Sequence, residues 1–183
     1  MYTTLILLPF ISSIIAGFSG RYLGPLGAAI LTRNCLLITV ILSFFMYYEV
    51  IIIGRHSYSC ITISFDGGMS YSFWLFQFDR IAANVCCVVT SVSSLILLYT
   101  TKYMYRDPHL PRFMFFLSLF TFYIIIIATA ATFNQFFVGC GGVGFCSYFL
   151  INFWLTRIGD FGIFLIDLGG DILCCAIFIW FLW

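Results

Sequence analysis

The stretch FMFFLSLFTFYIIIIATAATFNQFFVGCGGVGFCSYFLINFWLT, residues 113–156, decides the fold because none of its 44 residues is Asp, Glu, Lys, Arg or His. A helix of about 20 apolar residues crosses the hydrocarbon of a bilayer. The stretch therefore predicts two membrane spans. The polar and small residues between 132 and 144 predict the break between them, and uncharged runs at 1–20 and 81–101 predict one further span each.

The composition places the whole chain in the bilayer. It is 63% hydrophobic, 21% aromatic and only 8% charged, whereas a globular domain carries about 25% charged residues. We predict an all-α membrane protein, a single transmembrane domain over 1–183, with about six transmembrane helices. Their predicted bounds are 2–19, 34–53, 80–100, 113–131, 133–155 and 160–183. The more polar segment 54–78 is expected to lie in the membrane interface.

The basic residues predict the orientation. Six of the eight fall in the predicted loops after spans one, three and five: Arg21, Arg33, Lys102, Arg106, Arg112 and Arg157. Because Lys and Arg are enriched on the cytoplasmic side, these loops are expected to face the cytoplasm or the mitochondrial matrix. With a net charge of +1, no nucleic-acid partner is suggested.

Gly139, Gly141 and Gly144 reproduce the spacing G-x-G-x-x-G of a dinucleotide site. That fingerprint requires a strand, a tight turn and a helix in a soluble unit, which this apolar run does not offer. We expect the glycines to permit close helix approach instead. The eight cysteines form no C-x-x-C pair and are interpreted as small buried hydrophobes. We therefore predict no cofactor and no metal site.

Three motifs carry a resemblance to a known family. They are YMYRDPHLPRFMFFLSLFTFY (103–123), GVGFCSYFLINFWLTR (142–157) and IGDFG (158–162). Together with the N-terminal LLPFISSIIAGFSGRYLG, they resemble subunit 5 of NADH dehydrogenase, the proton-pumping respiratory complex. The resemblance extends from about 1 to 162 and covers roughly the first third of a subunit 5, in divergent or fragmentary form.

The resemblance implies an antiporter-like subunit of the membrane arm, without a redox site or catalytic residue of its own, which passes protons along buried charges. It implies the mitochondrial inner membrane, although a bacterial relative is an alternative. The implied partners are lipids and the other membrane subunits of that complex, with a second chain where the rest of subunit 5 is separate.

The sequence departs from the family at three polar places. The family has Trp-Glu where this chain has Cys140-Gly141, and Asp-Asn where it has Ala131-Thr132. A Lys-containing loop of the family is missing at the Arg157-Ile158 junction. Either the loop is deleted, or the numbering closes up a stretch that belongs there. These losses favour a structural role. The alternatives are an active antiporter-type transporter and a degenerate scaffold without transport.

Four residues remain as proton-path candidates: Glu49, His109, Asp167 and Asp171. Glu49 is the only glutamate and, as an alternative, could reach headgroup water at the end of its span. Asp167 and Asp171 are one helical turn apart, and carboxylates inside a membrane are functional candidates by default. They could instead belong to a subunit interface. His109 could tune proton entry or be a structural loop histidine.

Overall fold

A computed structural model describes residues 1–54, 57–66, 71–105, 107–151 and 153. Its elements are α1 (Tyr2–Tyr47), a π-helical turn (Tyr48–Ile52), β1 (Ser57–Asp66), β2 (Tyr71–Phe78), α2 (Arg80–Tyr103), α3 (Leu110–Thr129) and α4 (Phe133–Ile151).

Four helical segments are long and apolar enough to cross a membrane: Tyr22–Ile52, Arg80–Tyr103, Leu110–Thr129 and Phe133–Ile151. Tyr2–Phe18 is a shorter apolar helix within the predicted first span. The predicted class, a helical multi-pass membrane protein, is thereby confirmed. The predicted sixth span, 160–183, lies outside the described residues, and the count of six stays a prediction.

Helix α1 folds back on itself at Gly24, whose φ of 73° and ψ of 168° are not helical. A straight helix of 46 residues would separate its ends by about 70 Å at ~1.5 Å per residue. Instead, the hydroxyl of Tyr2 donates to Glu49 just beyond the far end. We call the helix before Gly24, residues 2–23, the first arm, and the helix after it, residues 25–52 with the π-helical turn, the second arm.

The second arm begins earlier than predicted. The sequence suggested a loop up to residue 33, with Arg33 in it, but the chain is helical on both sides of Gly24. Pro25 follows Gly24 directly, and proline is tolerated in the first turn of a helix because its missing N–H would have no partner there. Arg33 therefore lies inside a membrane helix rather than in a loop.

The break between α3 and α4 consists of residues 130–132, and α4 begins at Phe133. This agrees with the predicted span start at 133, but not with a break that extends to 144. Ala130 has an extended backbone, with φ −66° and ψ 121°. Gly139 to Gly144 are therefore helical residues of α4 rather than part of the break.

The segment 54–78, expected to lie in the membrane interface, contains a two-stranded antiparallel hairpin, for which the sequence analysis had predicted no strand. Ser57 pairs with Phe78 and Asp66 with Tyr71, with an irregularity between Ile61 and Phe65. The hairpin is attached to the bundle, because the Ala131 N–H donates to the Leu75 carbonyl at 3.3 Å.

Two side chains of β2, Phe76 and Phe78, are buried in the helix bundle. They pack in one apolar cluster with residues of both arms of α1, of α2 and of α3, among them Leu5, Met46, Val50, Ala83 and Ile125. A second cluster, around Leu36, Leu97 and Met114, holds the other half together. The hairpin thus covers one end of the bundle, which we call the hairpin end; the opposite end carries the turn at Gly24.

Candidate functional site

Glu49 lies at the hairpin end, in the π-helical turn that finishes the second arm. Its Oε2 accepts a hydrogen bond of 2.5 Å from the Tyr2 hydroxyl, and the carboxylate is half-buried. The Tyr2 ring itself packs on Phe78, with centroids 4.9 Å apart. The only glutamate therefore links the two arms of α1 beneath the hairpin.

The glycines of α4 differ in what surrounds them. A Cβ atom at Gly139 would lie 2.6 Å from Cγ1 of Ile127, and a Cβ at Gly142 would overlap the ring of Tyr123. Both neighbours belong to α3, so these two glycines allow α3 and α4 to approach closely.

Gly141 makes no such contact with α3. A Cβ atom there would meet nothing within 4 Å among the described residues. The prediction that Gly141 allows close helix packing therefore stays a prediction. The described residues leave room for a side chain at this position, where the family resemblance implies a glutamate.

His109 lies at the opposite end from Glu49, exposed and directly before α3. Its carbonyl accepts from the backbone N–H groups of Arg112 at 3.1 Å and Phe113 at 3.3 Å. His109 and Arg112 line a groove of about 610 Å³ that is closed on its other side by the turn at Gly24. The described residues that line this groove include prolines and phenylalanines but no carboxylate.

The candidates do not come together. Glu49 and His109 are at opposite ends of the bundle, separated by the length of α3, and 20 helical residues correspond to about 30 Å. Asp167 and Asp171, like the Arg157-Ile158 junction, lie outside the described residues. In the described part of the chain, no three His, Cys, Asp or Glu side chains are grouped so that they could hold a metal.

The hydroxyl groups inside the bundle mostly bond to their own helices. Thr39 donates to the Leu36 carbonyl at 2.7 Å, and Ser118 donates to the Met114 carbonyl at 2.9 Å. Such bonds satisfy the hydroxyl locally. The one described hydroxyl pair between helices is Ser43 with Thr90, at 2.9 Å.

Two polar side chains were not singled out as site candidates from the sequence. Gln135, in the first turns of α4, is 1% exposed, and neither atom of its amide has a hydrogen-bond partner among the described residues. The Nε of Arg33 is likewise buried without a partner there. The sequence signal was available for Gln135, since it is the only glutamine in the uncharged run of 113–156. Arg33 was not recognised as a buried residue because the sequence analysis had placed it in a loop.

Comparisons with known proteins give the family. Residues 67–114 match the family model described as NADH-Ubiquinone oxidoreductase (complex I), chain 5 N-terminus. The chain is 41% identical over 158 residues to NADH-ubiquinone oxidoreductase chain 5 of Metridium senile, covering 86% of this chain and 26% of that protein.

Two plant relatives extend the match. Chain 5 of Arabidopsis thaliana is 41% identical over 184 residues, with 92% of this chain and 28% of the relative covered. Chain 5 of Marchantia polymorpha is 39% identical over 193 residues, with 97% and 28% covered. The chain thus spans about a quarter of the length of the relatives it matches. The resemblance carried by the motifs is confirmed: over most of its length, this chain is a relative of the N-terminal part of NADH-ubiquinone oxidoreductase chain 5.

Proposed function

We propose that this chain is the N-terminal membrane part of a subunit 5 in a proton-translocating NADH:ubiquinone oxidoreductase of the mitochondrial inner membrane. In this role it packs against the other membrane subunits and, where the rest of subunit 5 is a separate chain, against that chain. We further propose that it contributes structure rather than a proton-transfer step.

The main observation in favour of a structural role is that position 141 has a glycine instead of a titratable residue. The family resemblance implies a glutamate here, whereas this chain has Gly141, and no described residue lies within 4 Å of the place where a Cβ atom would be. A buried carboxylate is the kind of group whose pKa can be shifted by a neighbouring charge, and glycine cannot take a proton. The packing glycines on either side, Gly139 and Gly142, keep their contacts with α3. The framework thus remains without the titratable group.

The hydrogen bonds of the described residues support the same proposal. A path through hydrocarbon requires a near-continuous series of titratable groups or waters. The described hydroxyls such as Thr121, which donates to the Ser118 carbonyl at 2.7 Å, are occupied by their own helices. They do not connect Glu49 to the opposite end.

A transporter of antiporter type is the second candidate, and Gln135 is the observation in its favour. A buried amide without a partner costs free energy, about 1–3 kcal/mol for each unsatisfied group. A water molecule beside it would remove that cost and would give α4 one element of a proton path.

Removal of the carboxylates tests the proposal in the intact assembly. We expect Glu49→Gln, and separately Asp167→Asn together with Asp171→Asn, to leave the number of protons moved per NADH oxidised unchanged. Quantifying the assembled complex in the same membranes separates a loss of assembly from a loss of pumping. If a carboxylate variant assembles normally but moves fewer protons per NADH, the structural role is wrong and the transporter is favoured.

A further inference from the structure

The groove between the second arm of α1 and the last turns of α2 contains two cations and no described acidic group. It has a volume of about 770 Å³, and its lining includes Arg33 and Lys102. Lys102 is exposed and Arg33 is half-buried. A concave surface with two positive charges and no carboxylate attracts an anion.

Arg33 carries the second observation. Its Nε is shielded from solvent and has no hydrogen-bond partner among the residues that the structure describes. A buried donor without an acceptor is costly, and more so when the donor is charged. The guanidinium of arginine forms paired hydrogen bonds with phosphate oxygens. Because Arg33 also lines the groove, its guanidinium is placed to bind a phosphate there.

The rest of the groove is suited to a lipid. Leu26 and Ile30, one helical turn apart on the second arm, line it and are 44% and 48% exposed. Tyr99 and Tyr105 line it from the side of α2 and are 69% and 59% exposed. Exposed tyrosines are typical of the headgroup level of a membrane, and exposed aliphatic side chains are typical of the acyl chain region. The groove therefore offers cations and acyl contacts side by side.

We propose that this groove binds an anionic phospholipid of the surrounding bilayer, with its phosphate on Arg33 and Lys102 and an acyl chain along Leu26 and Ile30. This site does not depend on the proposed structural role. Lys102 also lies in the last turn of α2, where a cation is favourable for the helix dipole. That role leaves its ammonium group free to contact a phosphate as well.

Photo-crosslinking in the intact assembly tests the site. The assembly is reconstituted into phosphatidylcholine vesicles that contain a small fraction of a photoactivatable lipid, either phosphatidylglycerol or phosphatidylcholine with the same acyl label. We expect phosphatidylglycerol adducts on residues 26–33 and 98–105 to exceed phosphatidylcholine adducts by on the order of tenfold, since each basic group near the surface attracts anionic lipid. Equal labelling by the two lipids in the wild type would overturn the proposal.

Variants and competitors separate the remaining explanations. Arg33→Gln with Lys102→Gln should lower phosphatidylglycerol adducts to the phosphatidylcholine level. Arg80→Gln, an exposed cation at the start of α2, is the matched control and should leave them unchanged. If the double variant fails to assemble, the proposal is judged from the ratio of phosphatidylglycerol to phosphatidylcholine adducts in the wild type alone. Loss of the adducts in excess inorganic phosphate, or crosslinking of the groove to a protein instead of lipid, would also overturn the proposal.

Discussion

Neighbouring glycines of α4 differ in whether they can be replaced. Gly142 packs against the Tyr123 ring, whereas no residue in the described part of the chain would contact a Cβ atom at Gly141. The sequence run GCGGVG does not distinguish them, because the four glycines differ only in the direction that each Cα faces around the helix. The uncharged run predicted that these glycines lie within the membrane. Only their contacts with α3 show which of them have no room for a side chain.

Alanine at each position measures this difference. Gly142→Ala would force the ring of Tyr123 to move, and overpacking of this kind costs about 1–3 kcal/mol, against a gain of ~1 kcal/mol in helix propensity. We therefore expect the Gly142→Ala chain to dissociate from its assembly at a lower midpoint temperature than the wild type. Gly141→Ala is the matched control and should keep or raise that midpoint. If both variants are equally destabilised, the packing described for α4 is incorrect.

At the scale of elements, α1 shows what the sequence could and could not predict. The uncharged run at 1–20 correctly indicated a helix, but the fold-back requires only one residue, Gly24, and one contact, Tyr2 with Glu49. A contact between residues 47 apart in the chain has no local signal. The hairpin was missed for a related reason: Phe76 and Phe78 of β2 are buried against α1, which precedes the hairpin, and against α2 and α3, which follow it, and these contacts have no local signal in YSFWLFQF.

The contact between the arms can be removed selectively. Tyr2→Phe keeps the ring against Phe78 and deletes only the hydroxyl that donates to Glu49. Hydrogen bonds to a charged group contribute about 1.5–3 kcal/mol when fully buried, and the half-buried site should give about 1 kcal/mol. We expect a lower thermal midpoint of the chain in its assembly.

The control for this measurement is Tyr48→Phe, because Tyr48 is 53% exposed. A double-mutant cycle of Tyr2→Phe with Glu49→Gln gives the interaction between the two side chains. Strictly additive effects of the two substitutions would show that the hydroxyl and the carboxylate do not interact in the membrane.

At the scale of the whole molecule, the described cations have an uneven distribution. Lys102, Arg112 and Arg33 lie toward the end with the turn at Gly24, and Arg80 begins α2 at the hairpin end. This agrees with the orientation expected from the basic residues, although Arg33 is in a helix rather than a loop. Sequence alone could assign the cations to ends because membrane helices alternate in direction; it could not show that two of them share a groove.

The orientation can be measured by protease accessibility. A protease-cleavable tag after Gly54, at the hairpin end, should be cut from outside in mitochondria whose outer membrane has been opened. The same tag between Met104 and Asp107, on the basic side, should be cut only after the inner membrane is dissolved. The reverse pattern of cleavage would contradict the proposed orientation.

The fold-back at Gly24 has a consequence for biogenesis. The first arm, residues 2–23, has the ~20 residues that span a bilayer. Since the turn leaves almost no chain between the arms, the two cannot be inserted far apart in time or space. They must enter the membrane together as a helical hairpin.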